Sequence, residues 1–526
     1  MARVQGPAYG GGVGLVAACD VVVAGMEAKF AFSEVRLGLV PGVISPLVIG
    51  RIGPAAARRL FLTGETVEID EALEKDGLIT HRDFGGTAKW RACYAAAGTG
   101  HAALYAVDSE VVRLGITVRD RSEAVALIHD GAQCIGAVVR CLRTGEHYAL
   151  MAKATVIATG GYGRIYGPYT SNAVINEGTG ASIALDTGIV PLGNMEAVQF
   201  HPTTLSPSGI LVTEGCRGDG GLLLDAEKHR FMPDYEPEKR ELASRDVVSR
   251  RMEQHILAGH GAKTRFGEHL WLDITLLGRP HIEKNLREVK DICRYFLGIE
   301  PWNDLIPVRP AQHYTMGGVR TDPSGECIGL KGLFVAGEAA CWDLHGFNRL
   351  GGNSVAETVV AGMIVGEYIA DFCDKIENDT DLCAGLARDY LQREQAKLDQ
   401  MLTHPGSENA NQLRCEMQNI MTDKVGIFRT GDNLASAVEE LQKLLDRSRS
   451  IRVDYKARGA NPELVSAYRV QLMLKLALTT AYGALQRTES RGAHYREDYP
   501  QRNDQEWLSR TLAVWKDGND TLPALS

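Results

Sequence analysis

Two short apolar stretches that each end in a glycine turn constrain this chain most, because such stretches are typical of strands in an α/β sheet. The first is KATVIATGG (153–161) and the second is GLFVAG (332–337). Glycines directly after a strand let the ribose or pyrophosphate of a cofactor approach the backbone. Strand–glycine turns are also common without any ligand, so the pattern alone leaves both interpretations open.

Length, charge and cysteine usage narrow the class of protein. The 526 residues are too many for one core and predict roughly three or four domains. A net charge of −9 argues against nucleic-acid binding, which needs concentrated Lys and Arg. The eleven cysteines include no C-x-x-C pair, which favours reduced thiols in a cytosolic chain and excludes the usual spacings of an iron–sulfur cluster. No metal-binding set, no bilayer-spanning stretch and no signal peptide are predicted.

Local patterns predict further elements. KATVIATGG predicts a buried strand, and PAAARRLFLTG predicts a helix that ends at its glycine. GHAALYAVDSEVVRLG and GNSVAETVVAGMIVGEYIADFC predict helices with an apolar face. Residues 209–309 are expected to carry long polar helices, and the i, i+4 charge pairs of residues 381–498 predict further helices. The tail after Tyr499 is polar and is expected to be extended.

Five polar clusters are harder to explain by packing. They lie in QFHPT, VTEGCRGDGG, ELASRDVVSRR, RPAQHYTMGG and HGFNRLGG, most of them turns marked by glycine or proline. A single histidine or arginine is usually an ordinary surface residue. That explanation does not account well for five clusters at once. Functional residues are concentrated on loops that carry charged groups.

The motifs TEGCRGDGG, ELASRDVVSRR, HYTMGG, AGEAACWDLHGFNRLGGNS and RTESRGAHYREDYP, in this order, carry a family resemblance. Residues 83–524 resemble the flavoprotein subunit of fumarate reductases and succinate dehydrogenases, particularly of bacterial quinol:fumarate reductases. The resemblance implies a multidomain α/β and α+β chain with a partial, Rossmann-like FAD-binding domain. The implied domains are an FAD-binding domain (83–208 and 310–380), a capping domain (209–309), a helical domain (381–498) and a C-terminal tail (499–526).

The resemblance also implies the chemistry, which is the interconversion of fumarate and succinate. Hydride would pass from N5 of FAD, and Arg245 would donate the proton, although arginine is normally treated as permanently protonated. Glu214 and Arg217 would return a proton to Arg245. The implied substrate-binding residues are His201, Thr213, His313 and Arg349. The implied FAD contacts are Thr159, Gly160, Gly161, Thr179, Glu338, Ser354 and Val355.

The chain lacks the cysteine spacings of an iron–sulfur cluster, so the resemblance implies partner subunits that carry the electrons. Electrons would come through an iron–sulfur subunit and, beyond it, a membrane subunit that reacts with quinone. The chain would then be cytoplasmic and peripheral to the membrane. Arg491, His494 and Arg496 have two interpretations of equal weight. In the first, the tail folds back near the flavin domain and the iron–sulfur partner; in the second, the tail is a solvated charged stretch.

The first 80 residues do not fit this family. Residues 3–79 resemble a fragment of an enoyl-CoA hydratase of the crotonase family, in which Gly11 aligns with an oxyanion-hole N–H and Glu34 with a catalytic glutamate. The second glutamate position is Gly14 here. Hydration needs two N–H donors on one thioester oxygen, and the second is absent, so we expect no hydratase activity.

The glycine-rich run at residues 12–17 permits a second interpretation, a dinucleotide fingerprint with Glu34 as the ribose-binding acid. We disfavour it, because a fingerprint needs a strand before it and a helix after it. The flavoprotein family's own G-x-G-x-x-G unit and its flavin-linking histidine should precede Phe84 and are not found. We therefore expect weak FAD affinity and no covalent flavin. The alternative functions are a hydratase that uses Glu34 and a catalytically impaired fusion.

Overall fold

The computed structural model describes residues 2–4, 6–9, 11–18, 22–24, 28–34, 44–64, 66–68, 81–82, 92–93, 99–167, 169–376, 380–517 and 520–526. These residues fall into two compact units. The first holds the described residues up to Arg82 and the strand Ala92–Cys93, and the second holds the described residues from Thr99 onwards.

The first unit is a small α/β body. Its strands β1 and β3 pair in parallel, β4 lies between β2 and β5, and β6 pairs with β7. Helix α2 ends at Gly64, whose φ of 58° closes the helix, as the stop in PAAARRLFLTG predicted. The elements are β1 (Ala2–Val4), β2 (Ala8–Tyr9), α1 (Gly11–Ala17), β3 (Val22–Ala24), β4 (Lys29–Ala31), α2 (Ser45–Thr63), β5 (Thr66–Glu68), β6 (His81–Arg82) and β7 (Ala92–Cys93).

The start of the chain has secondary structure that the sequence did not predict. The start of the chain was expected to lack both a strand and a following helix, yet β1 and α1 form. The fingerprint interpretation still fails for a different reason. Gly12 and Gly14 lie inside α1, whereas a fingerprint needs its first glycine in the turn before the helix.

The second unit begins with helix α3 and an antiparallel three-stranded sheet, β8–β9–β10. Strands β11 and β19 then pair in parallel, so the two glycine turns found in the sequence lie at the same edge. These elements are α3 (Thr99–Arg113), β8 (Ser122–His129), β9 (Cys134–Cys141), β10 (His147–Met151), β11 (Thr155–Ile157), α4 (Thr179–Leu185), β19 (Leu333–Val335), β20 (Ala340–Cys341) and α10 (Asn353–Lys375).

Strand β11 was expected to be buried, and that expectation was wrong for most of it. Only Ile157 is buried, and Val156 is 45% exposed. Helices α3 and α10 form as predicted, but their apolar residues are also largely exposed, for example Leu104, Tyr105, Val359 and Met363.

The region 209–309 was expected to carry long polar helices, and it does not. Its helices are short and pack on the antiparallel sheet β13–β17–β16–β14, around a separate core drawn from residues 205–308. The elements are β13 (Val198–Leu205), α5 (Gly215–Gly218), β14 (Leu222–Leu224), α6 (Met232–Tyr235), α7 (Arg245–His255), a π-helical turn (Ile256–His260), β15 (Ala262–Thr264), β16 (Gly267–Asp273), α8 (Gly278–Asn285), α9 (Arg287–Ile292), a second π-helical turn (Cys293–Leu297) and β17 (Ile306–Thr315).

The last part of the chain is helical, as the charge pattern predicted, up to Gln486. The tail was expected to be extended, but it folds. Strand β21 pairs with β12 and β22, and Trp515 is only 2% exposed. The elements are β12 (Leu192–Gly193), β18 (Gly318–Arg320), α11 (Thr380–Thr403), α12 (Ala410–Lys424), α13 (Gly431–Ser448), α14 (Pro462–Gln486), α15 (Asp504–Trp507), β21 (Leu512–Val514) and β22 (Ala524–Leu525).

Candidate active site

A chain of three buried charges lies at the base of the site. Arg245, the first residue of α7, donates from Nε and Nη2 to Glu214 Oε2 at 3.1 and 2.8 Å. The other carboxylate oxygen, Glu214 Oε1, accepts from Arg217 Nη2 at 3.0 Å. Burial raises the pKa of Glu214, but Arg245 and Arg217 outweigh burial and hold that pKa below its ordinary value. The structure therefore joins all three predicted catalytic residues through one ionised carboxylate.

Two imidazoles lie beside this chain. The rings of His201 (in β13) and His313 (in β17) are 4.9 Å apart between centroids. When His201 Nδ1 accepts the Thr203 N–H at 3.2 Å, Nε2 carries the proton, and Nε2 is buried without a hydrogen-bond partner among the described residues. Burial is the larger cause, and the charge of Arg245 the second, that hold the pKa of His201 well below 6.5. His313 Nδ1 lies 2.7 Å from Ser171 Oγ, and burial lowers its pKa in the same way.

Arg349 completes the group from the loop before α10. Its side chain is 3% exposed, its guanidinium lies 4.5 Å above the Tyr314 ring, and its Nε has no hydrogen-bond partner in the described part of the chain. Burial and the nearby charge of Arg245 lower the pKa of Arg349 to about 9. A buried cation with a free donor is costly unless an anion joins it, so this environment favours an anionic ligand.

The charges around His201 can be summed. Within this group, three guanidinium groups (Arg217, Arg245 and Arg349) accompany one carboxylate (Glu214), so positive charge exceeds negative charge. Arg245, His313, Arg217 and Arg349 all act electrostatically on His201, so they share one neighbourhood. Thr213 directly precedes Glu214, and its Oγ1 accepts the Gly215 N–H. A small dianion would balance the local charge.

The glycine turns predicted to contact a cofactor lie at one edge of the β11–β19 pair. A Cβ on Gly161 would lie 2.3 Å from Thr315 Oγ1 and 2.5 Å from Glu338 Oε1, so only glycine fits there. A Cβ on Gly180 would lie 2.3 Å from Thr159 Oγ1, which places the start of α4, including Thr179, at the end of β11. The structure thus brings Thr159, Gly160, Gly161 and Thr179 to the carboxyl edge, where α/β sheets bind ligands.

The start of α10 holds the remaining predicted cofactor contacts. Ser354 and Val355 lie in its first turn, directly after Gly352, whose φ is 79°. One turn later, Glu357 Oε2 accepts from Tyr314 Oη at 2.7 Å and lies 2.8 Å from His345 Nε2. Sequence reasoning missed this Tyr314–Glu357–His345 network, which holds the ring beneath Arg349. No local pattern could have paired residues from three separate segments.

Gln199 was also missed. Its Nε2 donates to Asn348 Oδ1 and to the Arg349 carbonyl at 2.8 and 2.7 Å, and its Oε1 lies 3.4 Å from Arg245 Nη1. It therefore connects the two arginines. A signal was present, because Gln199 lies two residues before His201 and alternate residues of a strand point to the same face.

The tail motif folds back against the loop that carries Arg349. Ala493 N donates to the Phe347 carbonyl, and His494 Nδ1 lies 2.7 Å from Arg429 Nη1. His494 and Arg496 are buried, and Arg491 pairs with Glu489. The solvated-stretch interpretation is wrong for this motif, because its charges are paired or hydrogen-bonded inside the protein.

Comparison with known proteins decides the family. A model described as FAD binding domain matches residues 50–355, and one described as fumarate reductase flavoprotein C-term matches residues 414–526. The Helicobacter pylori (strain ATCC 700392 / 26695) fumarate reductase flavoprotein subunit is 52% identical over 495 residues, which cover 89% of this chain and 69% of that protein. The chain belongs to the fumarate reductase and succinate dehydrogenase flavoprotein family. This is a family of FAD-dependent oxidoreductases.

Other relatives agree with that assignment. The Mycobacterium tuberculosis (strain CDC 1551 / Oshkosh) fumarate reductase flavoprotein subunit is 36% identical and covers 85% of this flavoprotein, which covers 78% of it. A solved E. coli quinol fumarate reductase FrdA, in a variant form, superposes with a TM-score of 0.81 at 33% identity, covering 86% of this chain and 78% of that one. The expected fold class, with FAD-binding, capping and C-terminal helical parts, is confirmed.

The N-terminal resemblance is confirmed as well. A model described as enoyl-CoA hydratase/isomerase matches residues 1–82 of this flavoprotein. Glu34 Oε2 is buried without a hydrogen-bond partner among the described atoms. A Cβ on Gly14, however, would lie 2.1 Å from Ile44 Cγ2, so the position of the second glutamate has no room for a side chain. Among the described helices of the whole chain, none is long and apolar enough to cross a membrane.

The depressed histidine pKa values predict acid sensitivity. Burial holds the pKa values of His201, His313 and His494 well below 6.5 in the folded state, whereas the unfolded chain takes up protons near pH 6.5. The unfolded state then binds more protons, so stability falls as pH falls. We expect the urea midpoint to decrease from pH 7.5 to pH 5.5. A midpoint that stays constant or rises over this range would contradict the assigned neutral imidazoles.

Proposed function

We propose that this flavoprotein interconverts fumarate and succinate in the cluster formed by His201, His313, Arg245 and Arg349. The observation that carries the proposal is that two donor atoms, His201 Nε2 and Arg349 Nε, are buried without hydrogen-bond partners among the described residues. They lie in a group of three guanidinium groups and one carboxylate. A four-carbon dicarboxylate brings two negative charges and four acceptor oxygens. It would satisfy both the charge and the open donors.

Each residue then has a role that its position supports. Arg349 would hold one carboxylate through its planar donors, while His201 and His313 would bind the other as neutral donors, with Thr213 adding a hydroxyl. Binding both ends fixes the double bond in one orientation and polarises it, which lowers the entropic and electrostatic parts of the barrier. The bound dianion would also raise the pKa of Arg349, which burial without an anion has lowered.

Arg245 is proposed as the proton donor. Its guanidinium group binds Glu214 on one side. Glu214 also binds Arg217, and Arg217 Nη1 donates to the backbone carbonyl of Glu241 at 2.5 Å. Glu241 in turn pairs with the half-buried Arg230. Arg217 contacts Glu241 only through that backbone carbonyl, so the proposed route by which Arg245 regains its proton runs through the side chains of Glu214 and Arg217. Glu214, which contacts both arginines, would pass a proton to Arg245 as Arg245 protonates the developing carbanion.

The residues present fit the flavin half of FAD. The cradle at Gly161 accepts no side chain, Thr159 and Thr179 line the same edge, and Glu338 lies beside it. The backbone N–H groups at the start of α10, near Ser354 and Val355, would face a flavin carbonyl. Bound FAD would supply the hydride at N5. The described residues do not include a strand, G-x-G-x-x-G turn and helix for the pyrophosphate.

Electrons would reach the flavin from an iron–sulfur partner subunit and, through it, from a membrane subunit that exchanges electrons with quinone. One solved relative is a quinol-fumarate reductase with menaquinol molecules, which supports a partner of this kind. The cysteines of this chain lack the cluster spacings such a relay needs. We propose that the chain associates with the cytoplasmic face of a membrane through these partners.

The test is fumarate-dependent oxidation of reduced methyl viologen by the purified chain supplied with FAD. We expect oxidation that saturates with fumarate and is inhibited by malonate, a shorter dianion. If flavin is bound and no fumarate-dependent oxidation occurs, the proposal fails, and the chain is a catalytically impaired fusion.

A second candidate function, hydration of an enoyl-CoA, rests on Glu34 Oε2, which is buried without a hydrogen-bond partner among the described atoms. Ile44 closes the neighbouring position at Gly14, and one carboxylate must then act as both acid and base. We expect no loss of the ultraviolet absorbance of the conjugated thioester when 2-enoyl-CoA is added. Turnover that disappears in Glu34→Gln and persists in Ser33→Ala would establish the hydratase instead.

A further inference from the structure

Two histidines and an aspartate meet in the region 209–309, away from the residues assigned above. Asp225 directly follows β14, His255 is the last residue of α7, and His260 ends the π-helical turn after it. One ligand atom from each residue lies within 4.8 Å of the other two. Among the described residues, no other group of three His, Cys or acidic side chains has that geometry.

The carboxylate of Asp225 is oriented by its own turn. Its Oδ1 accepts the N–H groups of Glu227 and His229 at 2.9 and 2.8 Å. The other oxygen, Oδ2, therefore remains for His255, whose Nε2 lies 3.4 Å away. That separation is long for a hydrogen bond. It matches two ligands of one ion, because bonds of about 2.1 Å at a tetrahedral angle place ligand atoms about 3.4 Å apart.

Two contacts fix the orientation of the His255 imidazole, as is usual for a histidine that binds a metal. Its Nδ1 lies 3.0 Å from Tyr235 Oη, and its ring stacks on Phe231 with centroids 4.3 Å apart. When Nδ1 donates its proton to Tyr235, Nε2 presents a lone pair towards Asp225. A hydrogen bond on the far nitrogen that sets the tautomer and ring direction is the usual outer contact of a ligating histidine.

The backbone brings His260 to the same place. Ala226 N donates to the His260 carbonyl at 3.0 Å, so the turn after β14 is tied to the π-helical turn. Gly259, with φ of 91°, reverses the chain just before His260. The His260 ring stacks on His255 with centroids 4.6 Å apart, and its side chain is exposed.

We propose that Asp225, His255 and His260 bind one divalent transition-metal ion of the zinc class. Two imidazole nitrogens with one carboxylate oxygen suit such ions and do not suit Ca²⁺ or Mg²⁺, which take oxygen ligands. Three protein ligands leave one tetrahedral position for water on the exposed side of His260. The ion would join the end of β14 to the end of α7.

The metal would act on the capping region and not on fumarate. Helix α7 starts with Arg245 and ends with His255, and its eleven residues span about 16 Å. The ion would therefore stabilise the C-terminal end of α7. Arg245, the proposed proton donor, lies at the other end of the same helix. The inference stands whether or not the chain reduces fumarate.

The experiment is a Zn²⁺ titration of the chelator-treated full chain by calorimetry, with metal analysis after dialysis. We expect one tight equivalent in the wild type. His260→Ala should lose that equivalent, and its exposed position makes misfolding a poor explanation for the loss. Tyr235→Phe should retain the site with about 10- to 100-fold weaker affinity, because only the outer hydrogen bond is removed.

The matched control is His281→Ala. His281 forms an imidazole–carboxylate pair with Asp219 at 2.8 Å in the same region, but the described residues do not place a third His, Cys or acidic side chain with metal-site geometry beside this pair. This variant should bind the same single equivalent as the wild type. Equal stoichiometry and affinity in wild type and His260→Ala would overturn the proposal, as would loss of the tight equivalent in His281→Ala.

Discussion

Replacing Arg245 by glutamine is expected to lower the turnover number for fumarate reduction by about 10²- to 10⁴-fold, the usual contribution of a positioned proton donor. The reason is geometric as well as chemical. Arg245 is 7% exposed and is held by Glu214 and Gln199 at the start of α7, so water has little access to replace it. The measurement is the steady-state rate of fumarate-dependent viologen oxidation, with turnover number and KM determined separately.

The matched control is Arg251→Gln, which removes an arginine from the same helix. Arg251 pairs with Glu236 near the surface, at 3.1 Å, and lies over the Tyr235 ring, so its described partners differ from those of Arg245, which are Glu214 and Gln199. Its turnover number should stay within about twofold of the wild type. Arg245→Lys keeps a charge but not the planar fork that contacts Glu214 through two nitrogens, so it should also be slow. Undiminished turnover in both Arg245 variants would remove Arg245 from the mechanism.

Acid precipitation of the purified chain is expected to release essentially all of its flavin into the supernatant. Residues 1–82 match the hydratase model, and the family's flavin-linking histidine was not found ahead of Phe84. The described residues also lack the glycine turn that would hold the pyrophosphate. Losing two charge-assisted hydrogen bonds, each contributing about 1.5–3 kcal/mol, weakens FAD binding by about 10²- to 10⁴-fold. Activity should therefore depend on added FAD.

A family member that carries the linking histidine provides the control, since its flavin should stay with the precipitate. The free FAD concentration that gives half-maximal activity then measures affinity directly. Flavin that remains with the precipitated chain, or full activity after extensive dialysis without FAD, would contradict this prediction. The second result would mean that residues outside the described ranges hold the adenine half of the cofactor.

The sequence was sufficient to nominate the candidate site residues because they are chemically unusual and occur in ordered motifs. His201, Glu214, Arg245, His313 and Arg349 could each be nominated from a charged or imidazole side chain in a glycine-marked segment. The resemblance then assigned roles that no single motif could carry. The helices of residues 380–486 were predictable for a different reason, since their 3.6-residue periodicity is a local property.

Other features depend on distant partners and could not be predicted. The tail has polar composition, yet Thr511 Oγ1 donates to the buried Glu196, and Ala513 fits beside Leu192. The apolar residues of α10 predicted burial, but Met363 is 64% exposed. Periodicity shows which face of a helix is apolar and does not show whether another element covers it. The Asp225–His255–His260 group escaped notice although His255 and His260 have an H-x4-H spacing that suits zinc ligands. Asp225 lies 30 residues before His255, and only the fold brings it to the two histidines.

The pairing of β21 with β12 has a consequence for synthesis. Leu192–Gly193 is translated long before its partner Leu512–Val514, and Leu512 exchanges backbone hydrogen bonds with Ser526. The sheet beside Asn194 can therefore close only after residues 512–526 have been synthesised. Until then the β12 edge lacks this partner, so protection of that edge against proteases should develop late in synthesis.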